Sequence, residues 1–468
     1  MRHTLRRSCA SCATSKHGCD LRMPRCSRCA KRGVECIYAN EPLTTPLASG
    51  GKDAGTLVPL EEYQPLSDHS LVSLDPFDSY PQTRLPRKYT QRLIHTFLHK
   101  IAFQYYPLDV SPTSNPFLMS WWPLALGDPA LFHVSLQTAC LDEELLAQKG
   151  FHNSFILMAD SVSLLRRKIE NTSLAMQDGT INSVITLATI EFGKGNIEVS
   201  EMHVEGVKQL VHLRGGISSV RQTSPLTARM VSWVSMLIMG HPQFQTQDDD
   251  GIGDGLPPIP EWQLDSTGTD CQDRELFGLE VDYAVTNVLI RLRSIFRRAQ
   301  RVPLPTTRLH DLTCFAIHRL LNSTPKDEIA LFPMTECIRY TIILYMFIAH
   351  GPTYYSHVVI QNSILVHLME YIEQAQPDFL VHGSLDVWFV AVGMAASTGT
   401  PHYTWFAERA RIIAALLEVP SSTEALSRMQ SILWLDTPQG ETIFRPHWDV
   451  ILDPPAHSSD LALKTAVP

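Results

Sequence analysis

Beyond residue 87, apolar side chains recur every three or four positions, the spacing that lines one face of an α-helix. Leu93, Ile94, Phe97, Leu98 and Ile101 form one such face. Phe155, Met158, Ala159, Val162, Leu165 and Ile169 form a second, and Ile181, Val184, Ile185, Ala188 and Phe192 a third. Asp128-Pro129 and Ser224-Pro225 each set a capping side chain before a proline, whose missing N–H costs a first helical turn nothing, and Ser421 with Glu424 has capping-box spacing. Gly206 would let two helices approach closely, and Gly215-Gly216 would end the helix before them. No apolar–polar alternation around a tight hairpin turn competes. The pattern predicts a mainly α protein, with one large all-α body over residues 87–455. Thr341–Ala349 is the most apolar run of its C-terminal half and falls far short of the about twenty residues of a membrane span, so it reads as a buried helix and no membrane contact is expected.

Residues 39–86 break the period. Seven prolines alternate with Gly, Ser, Thr and Asp, which predicts a flexible, disordered linker, and residues 456–468 read as a flexible tail. Gly50-Gly51-Lys52-Asp53-Ala54-Gly55-Thr56 lacks the residue order and preceding strand of a phosphate loop. No heptad run follows the N-terminal segment, leaving pairing through the body or binding as a monomer open.

The first thirty-eight residues carry the chemistry. Cys9, Cys12, Cys19, Cys26, Cys29 and Cys36 read C-x2-C-x6-C-x6-C-x2-C-x6-C, two similar halves of a CxxC pair and one outlying thiol. Zinc takes four thiolates at about 2.3 Å in a tetrahedron, and six sulfurs fill two tetrahedra only if two of them bridge. A disulfide framework would call for an oxidising compartment, and the N-terminus has no apolar signal segment. A redox CxxC belongs in a strand–helix unit, which this basic, Gly/Pro-punctuated stretch is not. Cys140, Cys271, Cys314 and Cys337 lie scattered and read as core thiols. Residues 1–38 hold nine Lys/Arg against Asp20 and Glu35, whereas the whole chain is −9. A basic head on an acidic body is the electrostatic footprint of a nucleic-acid reader joined to a regulatory domain. So short a head has almost no apolar core, so binding metal and folding should be one event.

Cys9 to Cys36, with Lys16 after Cys12, Asp20 after Cys19, Pro24 before Cys26, and Arg25, Arg28, Lys31, Arg32 and Gly33 in the second half, resembles the Zn2Cys6 module of fungal transcription factors. The resemblance implies two Zn2+ ions held by all six cysteines, with Cys9 and Cys26 bridging. It implies Lys16 contacting bases of a CGG- or TCG-like half-site in double-stranded DNA, since a Lys donor matches the O6/N7 acceptors of guanine. Arg6, Arg7, Arg25, Arg28, Lys31 and Arg32 would anchor phosphates. The chain departs from the family at His17 and Gly18, where further cations are usual, and Cys-Ala-x-Ser-Lys resembles the subgroup of aflatoxin-pathway-type regulators. The body resembles the fungal-specific transcription factor regulatory domain. Asn115-Pro116-Phe117, Trp122 to Leu126, Asp128 to Phe132, His203 to Gly206, Val211 to Gly216, Trp233, His241 to Phe244, Trp434 and Trp448 carry that likeness.

No catalytic motif appears, and an enzyme is not expected. His95 and His99 have metal-ligand spacing without the glutamate of a zinc protease, and read as surface residues. Asp248 to Gly255 hints at a calcium loop, but Ile259 stands where its bidentate glutamate belongs. The acidic stretch 243–270 is read as an exposed loop, or an activation surface through Phe244, Ile252, Leu256 and Trp262. The run Arg291, Arg293, Arg297, Arg298 and Arg301 is read as a solvated helix face, or as a nuclear-import or DNA-facing surface. The expectation is a nuclear, zinc-dependent, sequence-specific transcription factor, with a homodimer and the transcription machinery as candidate partners and a specialised-metabolite gene cluster as candidate target. The alternative is a zinc-cluster scaffold that binds proteins, or DNA without preference.

Overall fold

The computed structural model describes residues 10–15, 27–34, 80–148, 150–264, 279–323, 332–375, 382–437 and 440–452, and the structural statements concern these. Residues 39–79 of the expected linker and the expected tail lie outside them. Helix is the regular element among the described residues; the β-structure is one isolated bridge between Thr246 and Leu256.

The head supplies α1 (Ala10–Thr14) and α2 (Ser27–Arg32). The body opens with α3 (Arg87–Thr96), which passes through a π-turn, Phe97–Ile101, into α4 (Ala102–Tyr105); a second π-turn, Phe117–Trp121, leads into α5 (Trp122–Gly127). Then come α6 (Pro129–Ala147), α7 (His152–Ile169), α8 (Thr172–Ala175), α9 (Asp178–Gly193), α10 (Ile197–Leu213), α11 (Gly216–Thr223) and α12 (Pro225–Met239). A short α13 (Pro260–Gln263) precedes α14 (Tyr283–Ala299), α15 (Thr306–Asn322), α16 (Pro333–His350) and α17 (Val358–Ala375). The chain closes with α18 (Ser384–Ala396), α19 (His402–Leu416), α20 (Ser422–Ile432) and α21 (Gly440–Leu452). Residues 80–86 run along the body: Leu85 is buried, Tyr80 stacks on Phe132, and Arg84 pairs with Asp160 at 2.8 Å.

Two helical hubs organise the core. α6 and α9 pack on each other, with α7 against α6, and α10 and α12 against α9; α16 and α18 form the second hub, flanked by α15, α17, α19 and α20, and α12 meets α15 between them. The hub helices are enclosed on every side: residues 130–141 of α6 and 179–191 of α9 are buried without a gap. Burying Ser and Thr this way is tolerable because most of these hydroxyls donate to a carbonyl of their own preceding turn, and Thr180 to Leu174 O of α8 at 2.7 Å. Ser135 bonds Leu131 O at 2.7 Å, Thr138 Val134 O at 3.0 Å, Thr186 Asn182 O at 2.7 Å and Thr341 Cys337 O at 2.6 Å. Ser135 also accepts the buried Trp121 indole N–H at 2.9 Å.

The same device moves the face of α7. Phe155 and Ile169, expected inside, are 54% and 50% exposed, whereas Ser154, Leu157, Ser161 and Leu165 turn inward. Ser161 becomes a core residue by bonding Leu157 O at 2.7 Å.

The expected start signals act unequally. Asp128 caps α6, accepting from Ala130 and Leu131 N–H at 3.1 and 3.3 Å, and also pairs with Lys168. Ser421 accepts from Glu424 N–H at 3.3 Å, but the Glu424 carboxylate turns to Arg428 rather than completing the box. Ser224 stands before α12 without capping it, because its hydroxyl donates to Asp178 at 2.6 Å. Arg214 makes that arrangement, bonding Asp178 as well as the Ser224 hydroxyl at 2.7 Å and Thr223 at 2.9 Å. Gly215 and Gly216, at φ 94 and 89°, end α10 directly after this arginine, as expected. Gly206 is a correction: a β-carbon there meets nothing within 4 Å. The helix crossing that needs a glycine is at Gly393 of α18, where a β-carbon would run into the Phe406 ring of α19.

A polar knot joins the hubs. Asp311 of α15 accepts both guanidinium forks of Arg221 and Arg229, the latter at 2.8 and 3.0 Å. Burial pushes the Asp311 carboxyl up, but these bonds and charges outweigh it and hold it at about 2. Beside it, His310 Nδ1 lies 2.9 Å from His350 Nε2, Trp233 stacks on His350 with centroids 4.5 Å apart, and His357 bonds Thr353 at 2.9 Å. Burial pushes these imidazoles down, His350 to about 4 and His357 to about 3, with His310 also well below its ordinary range.

Gly393→Ala should lower body stability by about 1–3 kcal/mol through overpacking, whereas Gly206→Ala should raise it by about 0.5–1 kcal/mol; thermal melts of the two variants check both signs. The histidines take up protons when unfolded from about pH 6.5 but only near pH 3–4 when folded. Their contribution is therefore complete above about pH 6.5 and is lost as pH falls toward 4, and a melting-temperature series from pH 7.5 to 4.5 should fall steadily over that window. His350→Gln should flatten the slope.

Candidate nucleic-acid interface

α1 and α2 pack against each other, and each begins one residue after the first cysteine of a CxxC pair. The second cysteine of each pair therefore falls in a first turn, and both Cys12 and Cys29 are buried, at 1% exposure. In so small a segment, two thiols buried at matching positions are the donor type zinc requires, so these residues fit a thiolate-held metal. Ser15 closes α1, its N–H and hydroxyl both bonding Ser11 O, at 3.1 and 2.7 Å. α2 ends in a Schellman turn: Val34 N–H donates to Cys29 O at 3.2 Å and Gly33 N–H to Ala30 O at 3.4 Å, with Gly33 at φ 64°. Lys31 and Arg32 occupy the last turn of α2, exposed beside its carbonyl end where positive charge is favoured, and Arg28 is exposed on the same helix. Cys9, Cys19, Cys26, Cys36, Arg6, Arg7, Lys16 and Arg25 lie outside the described residues.

Residues 7–45 match the fungal Zn(2)-Cys(6) binuclear cluster domain, and residues 92–267 match the fungal specific transcription factor domain. A geodin cluster transcription factor of Aspergillus terreus is 56% identical over 36 residues, 8% of this chain and 16% of that relative. The chain thus spans under a fifth of the curated relative it matches. No solved structure matches the chain. The two matched segments are thus domains described from fungal transcription regulators, a short zinc-cluster head ahead of a helical body. More particularly, the protein carries the fungal Zn(2)-Cys(6) cluster, which binds two Zn2+ ions, together with the fungal specific transcription factor domain.

The body's other candidates resolve differently. His95 and His99 are exposed with ring centroids 4.2 Å apart, and no three His, Cys, Asp or Glu side chains converge on a metal position among the described residues. Over residues 244–264 the expected exposed loop is a packed one. Asp248 Oδ1 accepts its own loop's Asp250 and Ile252 N–H at 3.1 and 2.7 Å. Asp249 takes the Trp262 indole N–H at 3.0 Å and Asn287 at 2.6 Å, beside Arg291 and Arg319. Leu256, Ile259 and Trp262 are core residues, which leaves Ile252, 71% exposed, and Leu264, 67% exposed, as outward apolar side chains. The arginine run of α14 is also corrected: Arg291 and Arg293 are buried, bonding Trp262 O at 2.5 Å and Ile432 O respectively. Sequence reasoning missed the Arg221–Arg229–Asp311 fork altogether, since no local spacing connects residues 80 or more positions apart.

No helix is long and apolar enough to cross a membrane among the described residues. Gly33→Ala forces a β-carbon into a left-handed conformation at a cost of about 1–2 kcal/mol, about five- to thirty-fold in the folded share of a metal-dependent head. Competition between the full chain and a chromogenic zinc chelator should show the variant surrendering its metal at correspondingly lower chelator concentration.

Proposed function

We propose that this protein is a sequence-specific, zinc-dependent regulator of RNA polymerase II transcription, acting in the nucleus. Residues 1–38 read DNA, 39–86 link, with 80–86 laid along the body rather than free, 87–455 form the regulatory body and 456–468 a tail. All six head cysteines, Cys9, Cys12, Cys19, Cys26, Cys29 and Cys36, hold the two Zn2+ ions, with Cys9 and Cys26 bridging. Bound zinc supplies the rigidity that so small a segment cannot draw from an apolar core. The observation that carries this reading is the pair of helices α1 and α2, each burying a CxxC cysteine, with cations exposed on α2.

Lys16 contacts guanine edges of a CGG- or TCG-like half-site, and Arg6, Arg7, Arg25, Arg28, Lys31 and Arg32 hold phosphates, so affinity falls steeply with salt. Similarity to a geodin cluster transcription factor supports control of a specialised-metabolite gene cluster. Pairing of two chains through the helical body would set two half-sites side by side, and the exposed body surface would meet the transcription machinery.

Full-length protein loaded with zinc and selected against a randomised duplex pool at physiological salt should enrich one half-site. Lys16→Ala should erase about 1–3 kcal/mol of base preference, whereas Arg28→Ala should weaken every duplex alike. Uniform, salt-erased binding by the wild type would instead make the head a non-specific or protein-binding scaffold.

A further inference from the structure

Arg293, Arg297 and Arg301 succeed one another at intervals of four, about 6 Å per step along α14 and just past its end. They line one side of a recess of about 540 Å³; the opposite side is Gln430, Ser431 and the segment that leaves α20 as far as Asp436. The floor is buried, with Arg293 anchored on Ile432 O and Trp434 nearly enclosed. Arg297, Gln300 and Arg301 form an exposed rim. Neither Arg297 nor Arg301 pairs with a carboxylate among the described residues, whereas Arg291 and Arg298 of the same helix are tied to Trp262 O and Glu261 O at 2.5 and 2.9 Å.

Like charges four apart on a helix repel, so this stripe opposes folding unless something offsets it. Placement at the carbonyl end of α14 accounts for Arg297, which lies in its last turn, but Arg301 stands beyond the helix. Asp436 is the one acid among the lining residues described, facing the two exposed guanidiniums of Arg297 and Arg301. The recess also has the volume of a small-molecule site rather than the flatness of a solvated face. Planar guanidinium forks match the oxygens of a phosphate group, and Gln300 and Gln430 add neutral donors at the rim.

We propose that this recess is a binding site for a small phosphorylated molecule, held by Arg297 and Arg301 over the Arg293–Trp434 floor. It is separate from the head and does not depend on how the head reads DNA. Two phosphates spaced to meet successive arginines suit it best, and Asp436 favours a ligand that also offers a hydroxyl or amine.

The test is calorimetry and thermal shift on the full chain with inorganic pyrophosphate and ATP, at constant ionic strength, with chloride and sulfate as comparison salts. The expected result is saturable binding with a raised melting temperature, reduced at least tenfold in affinity by Arg297→Gln/Arg301→Gln together. Both positions are exposed, so circular dichroism should show that variant folded. The head variant Lys31→Gln/Arg32→Gln should bind both probes as the wild type does, which separates this site from phosphate capture by the head. No saturable binding, equal binding by sulfate, or binding unchanged in the α14 variant overturns the proposal. A loss of duplex DNA affinity in the α14 variant with no effect on either probe also overturns it and makes the stripe a nucleic-acid contact.

Discussion

A polar group buried in a helical core must find its partner there, and in this body the central helices supply it from their own backbone. α6 and α9 are covered on all sides, yet carry Ser135, Thr138, Ser183 and Thr186 into the interior. Each hydroxyl returns to a carbonyl one turn back, as Ser183 does to Gly179 O at 2.5 Å. No second helix is needed to satisfy them, so neighbours can pack apolar surface on any side. That freedom suits α6 and α9 to their place with α7, α10 and α12 packed around them.

The head obeys the opposite constraint. α1 and α2 are five and six residues long, too short to be stable alone, and beyond Cys12 and Cys29 they offer little to bury. A metal-thiolate cluster replaces a core with a few strong bonds, and its ligands must lie close in sequence for so small a unit to form. Charge divides along the same line, a cationic head and an acidic body, so attraction to a polyanion concentrates where the metal gives rigidity.

That locality decides how much was legible in the sequence. The cysteine spacing, the Asp128 cap, the Gly215-Gly216 stop and the all-α character are short-range features, and the residues that encode them stand side by side. Long-range pairings were not legible. Ser161 reads as polar surface until its own backbone satisfies it. Arg291 and Arg293 read as solvated until carbonyls from α13 and α20 reach them. Ser224 has the right place for a cap, but Arg214 and Asp178 recruit its hydroxyl. For Ser161 the override comes from its own preceding turn; for the arginines and Ser224 a partner distant in sequence overrides a local preference.

The Asp311 fork has an unequal tolerance to change built into it. Exchange of either arginine leaves the carboxylate gripped by the other, still ionised and still bridging α15 to its neighbours. Exchange of the aspartate strands two cations against each other in a poorly hydrated place. As descendants of this sequence diverge, one guanidinium is free to drift first, whereas the acid and its remaining arginine are thereafter bound to change together.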